Sequence, residues 1–118
     1  MDVVTRRERD RACALLAAGV AGYALDVPRD EIMSALRGTS AAAFARQVAM
    51  YVAHVAFELS LARIADAFGR DRSTVAHACH TIEDRREDET FDDLVAALEA
   101  SLRDTPAPRH AEAAEQRS

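Results

Sequence analysis

The chain contains no tryptophan, and phenylalanine and tyrosine supply only 5% of its 118 residues. A core with so few large rings must be built mainly from Ala, Leu, Val and Ile. Small side chains let helices approach closely, so this composition favours packed helices over a sandwich of sheets. Lysine is also missing: all 15 basic residues are arginine. Beside so many alanines, this reads as a compositional habit rather than selection for guanidinium chemistry. There are two cysteines, Cys13 and Cys79, each inside an apolar helical pattern and without metal-ligand spacing. Free thiols in a reducing cytoplasm are the expectation. The longest apolar run, Ala12 to Leu25, carries two glycines and is too short to span a bilayer, and no signal peptide is expected. No G-x-x-x-x-G-K-[ST] loop, paired carboxylates or nucleophile–base pair occurs on a plausible pocket. An enzyme is therefore not expected, and no residue is assigned as catalytic.

The net charge of −5 is unevenly spread. Residues 1–36 carry five arginines against six acids, residues 37–86 seven against five, and residues 87–118 three against nine. The middle of the chain is thus basic and its end acidic. Charges act on a polyanion within about a Debye length, ~8–10 Å, so the acidic end weakens non-specific attraction without forbidding a docked basic element.

Taken in order, Thr5-Arg6-Arg7-Glu8 fits a capping box that opens the first helix. Arg6, Arg7, Arg9 and Arg11, interleaved with Glu8 and Asp10, read as a solvated face with local ion pairs in preference to a basic arm. Gly19 and Gly22 either admit a neighbouring helix or mark a break near Gly19. Pro28 starts a short helix to Leu36, and Arg37 to Ser40 is a loop. Ser40 is the expected cap of a long helix, Ala41 to Glu58, with Phe44, Val48, Tyr51, Val52, Val55 and Leu59 as its buried stripe. His54 on that helix is read as a surface or packing residue.

From Ser60 the pattern changes to a short helix, a tight turn and a second helix. Ser60 caps the first, and Leu61, Ile64, Ala65 and Phe68 share one face. Gly69 ends it, because glycine enters the left-handed region without steric cost. Asp71 is the expected cap of the next helix, whose apolar stripe is Val75, Ala78, Cys79 and Ile82. Arg70, Arg72, Ser73 and Thr74 gather at its exposed start. This is the layout of a helix-turn-helix over Ser60–Glu83, in which the first turn of the second helix meets base edges.

The residues Phe68-Gly69-Arg70-Asp71-Arg72-Ser73-Thr74-Val75, followed by Ala76-His77-Ala78-Cys79, resemble the C-terminal DNA-binding domain of the bacterial replication initiator DnaA. That family writes this turn as F-G-G-R-D-H-T-T-V-x-H-A. Arg46-Gln47-Val48-Ala49-Met50 is similar to its R-Q-x-A-M helix start, and Val20-Ala21-Gly22-Tyr23, Val27 and Ile32-Met33-Ser34 to its first two helices. The resemblance runs from Val20 to Leu102 and implies an all-α, Trp-repressor-like helical bundle over residues 1–104. The expected product is a free-standing DNA-binding domain lacking the initiator's ATPase.

The resemblance also implies roles. Arg46 and Gln47 hold backbone phosphates, and Arg37 reaches the minor groove from a loop that is richer in basic residues in the family. By position, Asp71, Arg72 and Ser73 face bases, while Arg70 and Thr74 contact phosphate. Arg72 stands where the family has His and prefers the guanine edge; Asp71 can accept from a cytosine amino group. The single Gly69, where the family has two, either rotates the recognition helix or starts it earlier. His77, Cys79 and His80 make a poor metal site, with His77 read as satisfied beneath its helix and Cys79 as core; no metal or cofactor is expected.

Arg85 and Arg86 are expected to pair in solvent with Asp84, Glu87, Asp88 and Glu89. Thr90 is the expected cap of a last helix with Phe91, Leu94, Val95, Leu98 and Leu102 as its stripe. Residues 105–118, polar and marked by Pro106 and Pro108, are expected to be a disordered tail. The partner expected is double-stranded DNA, including initiator-box-like sites, bound by a monomer or weak oligomer in the cytoplasm on the nucleoid, with no membrane. The role is either transcription regulation or replication control by competition with an initiator. The alternative is a protein-interaction module with weakened DNA binding that engages replication or nucleoid proteins through its acidic last helix.

Overall fold

The computed structural model describes residues 2–36 and 38–105. Six helices occupy the described residues: α1 (Val3–Leu25), α2 (Arg29–Met33), α3 (Ser40–Ala56), α4 (Leu61–Phe68), α5 (Arg72–Arg85) and α6 (Glu89–Asp104). There is no strand among them. No described helix is long and apolar enough to cross a membrane. Arg37 and the expected disordered tail from Pro106 onward lie outside the described residues.

Helix α3 is the centre of the bundle, and α1, α2, α4, α5 and α6 all pack against it. Its small residues make this possible: Ala42, Ala45, Ala49 and Ala53 are buried beside Val48, Met50, Tyr51 and Val52, so neighbours approach from several sides. Phe44 and Val55, expected in its stripe, are only half-buried, and Leu59 is buried just beyond its end. His54 is half-buried there, 2.6 Å from the Leu59 carbonyl oxygen through Nδ1, which therefore carries the proton and donates.

Three helix starts lie a residue or more towards the N-terminus of the expected ones, while α2 starts one residue late, at Arg29. The cap of α1 is Asp2, whose Oδ1 accepts from the Thr5 N–H, so the Thr5–Glu8 capping box does not form. Thr39, not Ser40, caps α3 by accepting from the Ala42 N–H. Asp88, not Thr90, caps α6 by accepting from the Phe91 N–H. In each case an acceptor earlier in the chain is a good cap in its own right, and the helix grows back to it. Helix α2 ends at Met33, three residues before Leu36.

Helix α1 runs unbroken through Gly19 and closes on Asp26 in the left-handed conformation, with φ of 57°. The two glycines differ. A Cβ at Gly22 would run into the Val27 carbonyl oxygen, where the chain folds back, whereas one at Gly19 would meet nothing within 4 Å.

Polar groups tie the last helix down. Arg86 is not paired in solvent with its neighbours in sequence: it binds Asp92 and the buried Glu99, and also donates to the Tyr51 hydroxyl at 3.0 Å. Tyr51 in turn donates to Glu83 at 2.7 Å. Arg85 lies over the rings of Phe44 and Phe91. Burial, and then the bond to Glu83, push the Tyr51 phenol up to about 12.

Two expectations follow. Gly19→Ala should raise stability by about 0.5–1 kcal/mol, because alanine restricts the unfolded chain and fits the helix. Gly22→Ala should lower it by about 1–3 kcal/mol through the overpacked corner; thermal melts of the pair would contradict this packing if the two shifts had the same sign. Because the folded chain holds the Tyr51 proton more tightly than an unfolded tyrosine at about 10, its contribution to stability is intact below that pH and falls as pH rises towards 12. Urea midpoints at pH 9 and 11.5 should show that loss, and Tyr51→Phe should remove this part of it.

Candidate nucleic-acid interface

The local sequence dictates the corner between α4 and α5. The Ser60 hydroxyl accepts from the Arg63 N–H and opens α4. Gly69, at φ 66°, then closes it: its N–H donates to the Asp66 carbonyl and the Arg70 N–H to the Ala65 carbonyl. This double closure is a Schellman motif, and it turns the chain within two residues. One glycine is enough, so α5 starts at Arg72 directly after the Asp71 cap position.

Asp71 caps by position only. Its backbone carbonyl accepts from the Val75 N–H, but its carboxylate makes no capping bond, contrary to the expectation from sequence. Asp71, Arg72, Ser73 and Thr74 are all exposed, and their side chains have no hydrogen-bond partner among the described residues. On the opposite side of α5, Val75, Ala78 and Ile82 are buried in the core. The helix thus points an uncommitted carboxylate, guanidinium and two hydroxyls into solvent, beside open backbone N–H groups. Such a helix start attracts anions through its N–H groups and dipole.

The other expected residues separate. Gln47 is half-buried with its amide uncommitted among the described residues. Arg70 is half-buried; its Nη2 donates to the Ser34 carbonyl at 2.7 Å. Arg46 is placed differently from the open, phosphate-facing position expected. It is 7% exposed, and its guanidinium donates to the Ile32 carbonyl at 2.7 Å and the Glu31 carbonyl at 3.1 Å. Burial, and then the nearby Arg70 charge, lower the proton affinity of Arg46 below the ordinary arginine value. Ala35, Leu36, Ala43, Arg46, Arg70, Asp71 and Thr74 line one open concavity beside the tip of α5. His77 is exposed rather than satisfied beneath the helix, while Cys79 is half-buried, its thiol pushed up to about 11 by burial.

This fold and corner have counterparts. The family model of the bacterial DnaA protein helix-turn-helix matches residues 20–82, more than half of the chain. The chain belongs to the DnaA C-terminal helix-turn-helix family. It is similar to the chromosomal replication initiator protein DnaA of Caldanaerobacter subterraneus subsp. tengcongensis, at 30% identity over 103 residues, covering 86% of this chain. It spans 23% of that relative's length. A crystal structure of a DNA replication initiation factor superposes with a TM-score of 0.71 at 30% identity, over 82% of this chain and 30% of that one. The chain is thus a DnaA-like, DNA-binding type of helix-turn-helix domain.

Sequence reasoning missed how α1 braces this DnaA-like corner. Asp10 is 4% exposed and takes a two-pronged bond from Arg63 of α4, at 2.7 and 2.9 Å. Arg11 donates to the Ala67 carbonyl at the end of α4, and Arg7 pairs with Asp66. Two of the arginines of α1, Arg7 and Arg11, therefore make contacts distant in sequence. A signal existed: Asp10 shares a helical face with Cys13, Ala14 and Ala17, and a carboxylate on an apolar stripe needs a partner. Asp10→Asn should break the two-pronged pair and leave Arg63 short of an acceptor. An expected loss of about 2–4 kcal/mol would be read from denaturant melts, and an unchanged midpoint would show that the brace contributes nothing.

Proposed function

We propose that this chain binds double-stranded DNA sequence-specifically by placing the first turn of α5 in a major groove. The observation that carries this reading is the tip itself: Asp71, Arg72, Ser73 and Thr74 are exposed together and uncommitted, on a helix whose other face is locked in the core.

The roles follow from chemistry. Arg72 donates two hydrogen bonds to guanine O6 and N7, and Asp71 accepts from a cytosine amino group. Ser73 meets the neighbouring base. Thr74, Gln47 and Arg70 hold phosphates, aided by the open N–H groups of α5. Arg37 remains the candidate for the minor groove. Arg46 passes from phosphate ligand to internal support, because the Nε–Nη2 edge of its guanidinium is bonded to backbone carbonyls. The acidic α6 packs on α3 and α1, so its charge does not cap the tip. That disfavours a module which has given up DNA for protein partners through its last helix. Regulation of transcription and competition at initiator boxes are both served by this chemistry.

Selection from a random duplex pool, followed by binding at fixed salt, tests the reading. A guanine should emerge opposite Arg72. Arg72→Ala should cost about 1–3 kcal/mol and relax the preference at that one position. Equal binding to every duplex, or an unchanged preference in Arg72→Ala, would overturn it. Including initiator boxes in the series separates the competitor role from a regulator with another site.

A further inference from the structure

The concavity beside α5 has one wall that is not polar. Leu36 is 76% exposed there, a large apolar side chain left in water on the segment between α2 and α3. The root of that segment is tied down. Helix α2 has only five residues, and the last carbonyls of a helix have no partner within it. Arg46 of α3 fills that of Ile32 and shares that of Glu31 with the Ser34 N–H. Arg70, from the corner of the helix-turn-helix, fills that of Ser34. The Ser34 hydroxyl then accepts from the Leu36 N–H at 3.0 Å. Two arginines on different elements therefore grip carbonyls within a four-residue stretch and set where Leu36 emerges relative to α5.

We propose that Leu36 is a further DNA-contacting residue, held against the duplex beside the bases facing Asp71 and Arg72 by the Arg46–Arg70 clamp, with Arg46 as its positioning residue. This rests on the reading under Proposed function. A leucine cannot neutralise phosphate; what it can meet on a duplex is deoxyribose or the apolar edge of a base step. Its contact adds affinity by leaving water, so it should be nearly independent of salt. The continuity of Leu36 with Arg70, Asp71 and Thr74 in one concavity favours DNA as the occupant.

The test compares the unsubstituted chain, Leu36→Ala and Arg46→Lys on one selected duplex, by binding over a salt series and by hydroxyl-radical protection of the sugars. Leu36→Ala should weaken binding by about tenfold, the scale of a leucine partly withdrawn from water, with the salt slope unchanged. Protection should vanish at the few sugars flanking the bases read by Arg72. Arg46→Lys, which can reach at most one of the two carbonyls, should lose the same protection with the same salt slope. The double variant should be little weaker than either alone, since both act through one contact. Circular dichroism melts confirm that the variants are folded at the binding temperature. The proposal is overturned if Leu36→Ala binds and protects as the unsubstituted chain does. It is equally overturned if Arg46→Lys binds and protects as the unsubstituted chain does, which would leave Arg46 no part in placing Leu36. If the unsubstituted chain shows no duplex preference, the reading under Proposed function fails as well; a preference intact beside a silent Leu36→Ala removes the clamp alone.

Discussion

Everything in this bundle depends on burying α3 from several sides at once. A helix bearing large side chains all round would hold its neighbours apart and leave gaps that only other large side chains could fill. Here Ala42, Ala45, Ala49 and Ala53 alternate with Val48, Met50 and Val52, all essentially inaccessible. The result is close approach at modest apolar area per residue. Close packing of small residues is unforgiving of added volume, because interiors are packed as densely as organic crystals. The corner at Gly22, where a single methyl meets a carbonyl oxygen, is the same constraint at the edge of the core.

A core of small residues supplies limited hydrophobic free energy, and arginine supplements it. Arg46 binds the end of α2, Arg70 the residue after it, Arg11 the end of α4, and Arg63 and Arg86 reach buried carboxylates. Three of these five arginines terminate on backbone carbonyls that a helix end leaves open. The planar guanidinium suits this use, since its fork of donors satisfies two acceptors from one fixed geometry. An all-arginine complement, read from sequence as compositional habit, thus has a structural consequence. Arg72, by contrast, has no partner within the described chain.

The spatial division of charge resolves what the net value of −5 obscures. Seven of the nine acids of residues 87–118 lie on or just before α6, which leans on α3 and α1; Glu112 and Glu115 lie outside the described residues. Two of them, Asp92 and Glu99, are consumed by Arg86. The start of α5 emerges elsewhere, with one uncommitted carboxylate and an uncommitted guanidinium. Net charge speaks to solubility and non-specific attraction; a docked helix depends on the few groups within a Debye length of it.

The sequence by itself determined the helices, the corner and the exposed tip, because these are local matters. Apolar spacing of three and four residues marks a buried face, glycine marks the left-handed closure at Gly69, and a run of polar residues after Asp71 marks a surface. Helix starts were legible only to within a turn, since Asp2, Thr39 and Asp88 competed with equally good caps nearby. The sequence could not decide which arginines face out. Arg46, two turns into α3, and Arg72, at the first position of α5, are the same residue type, yet one is 7% exposed and the other is free in solvent. That choice belonged to the tertiary structure alone: only when α2 folds back beside α3 do two carbonyls at its end come within reach of Arg46, and no spacing along the chain encodes an acceptor fourteen residues away.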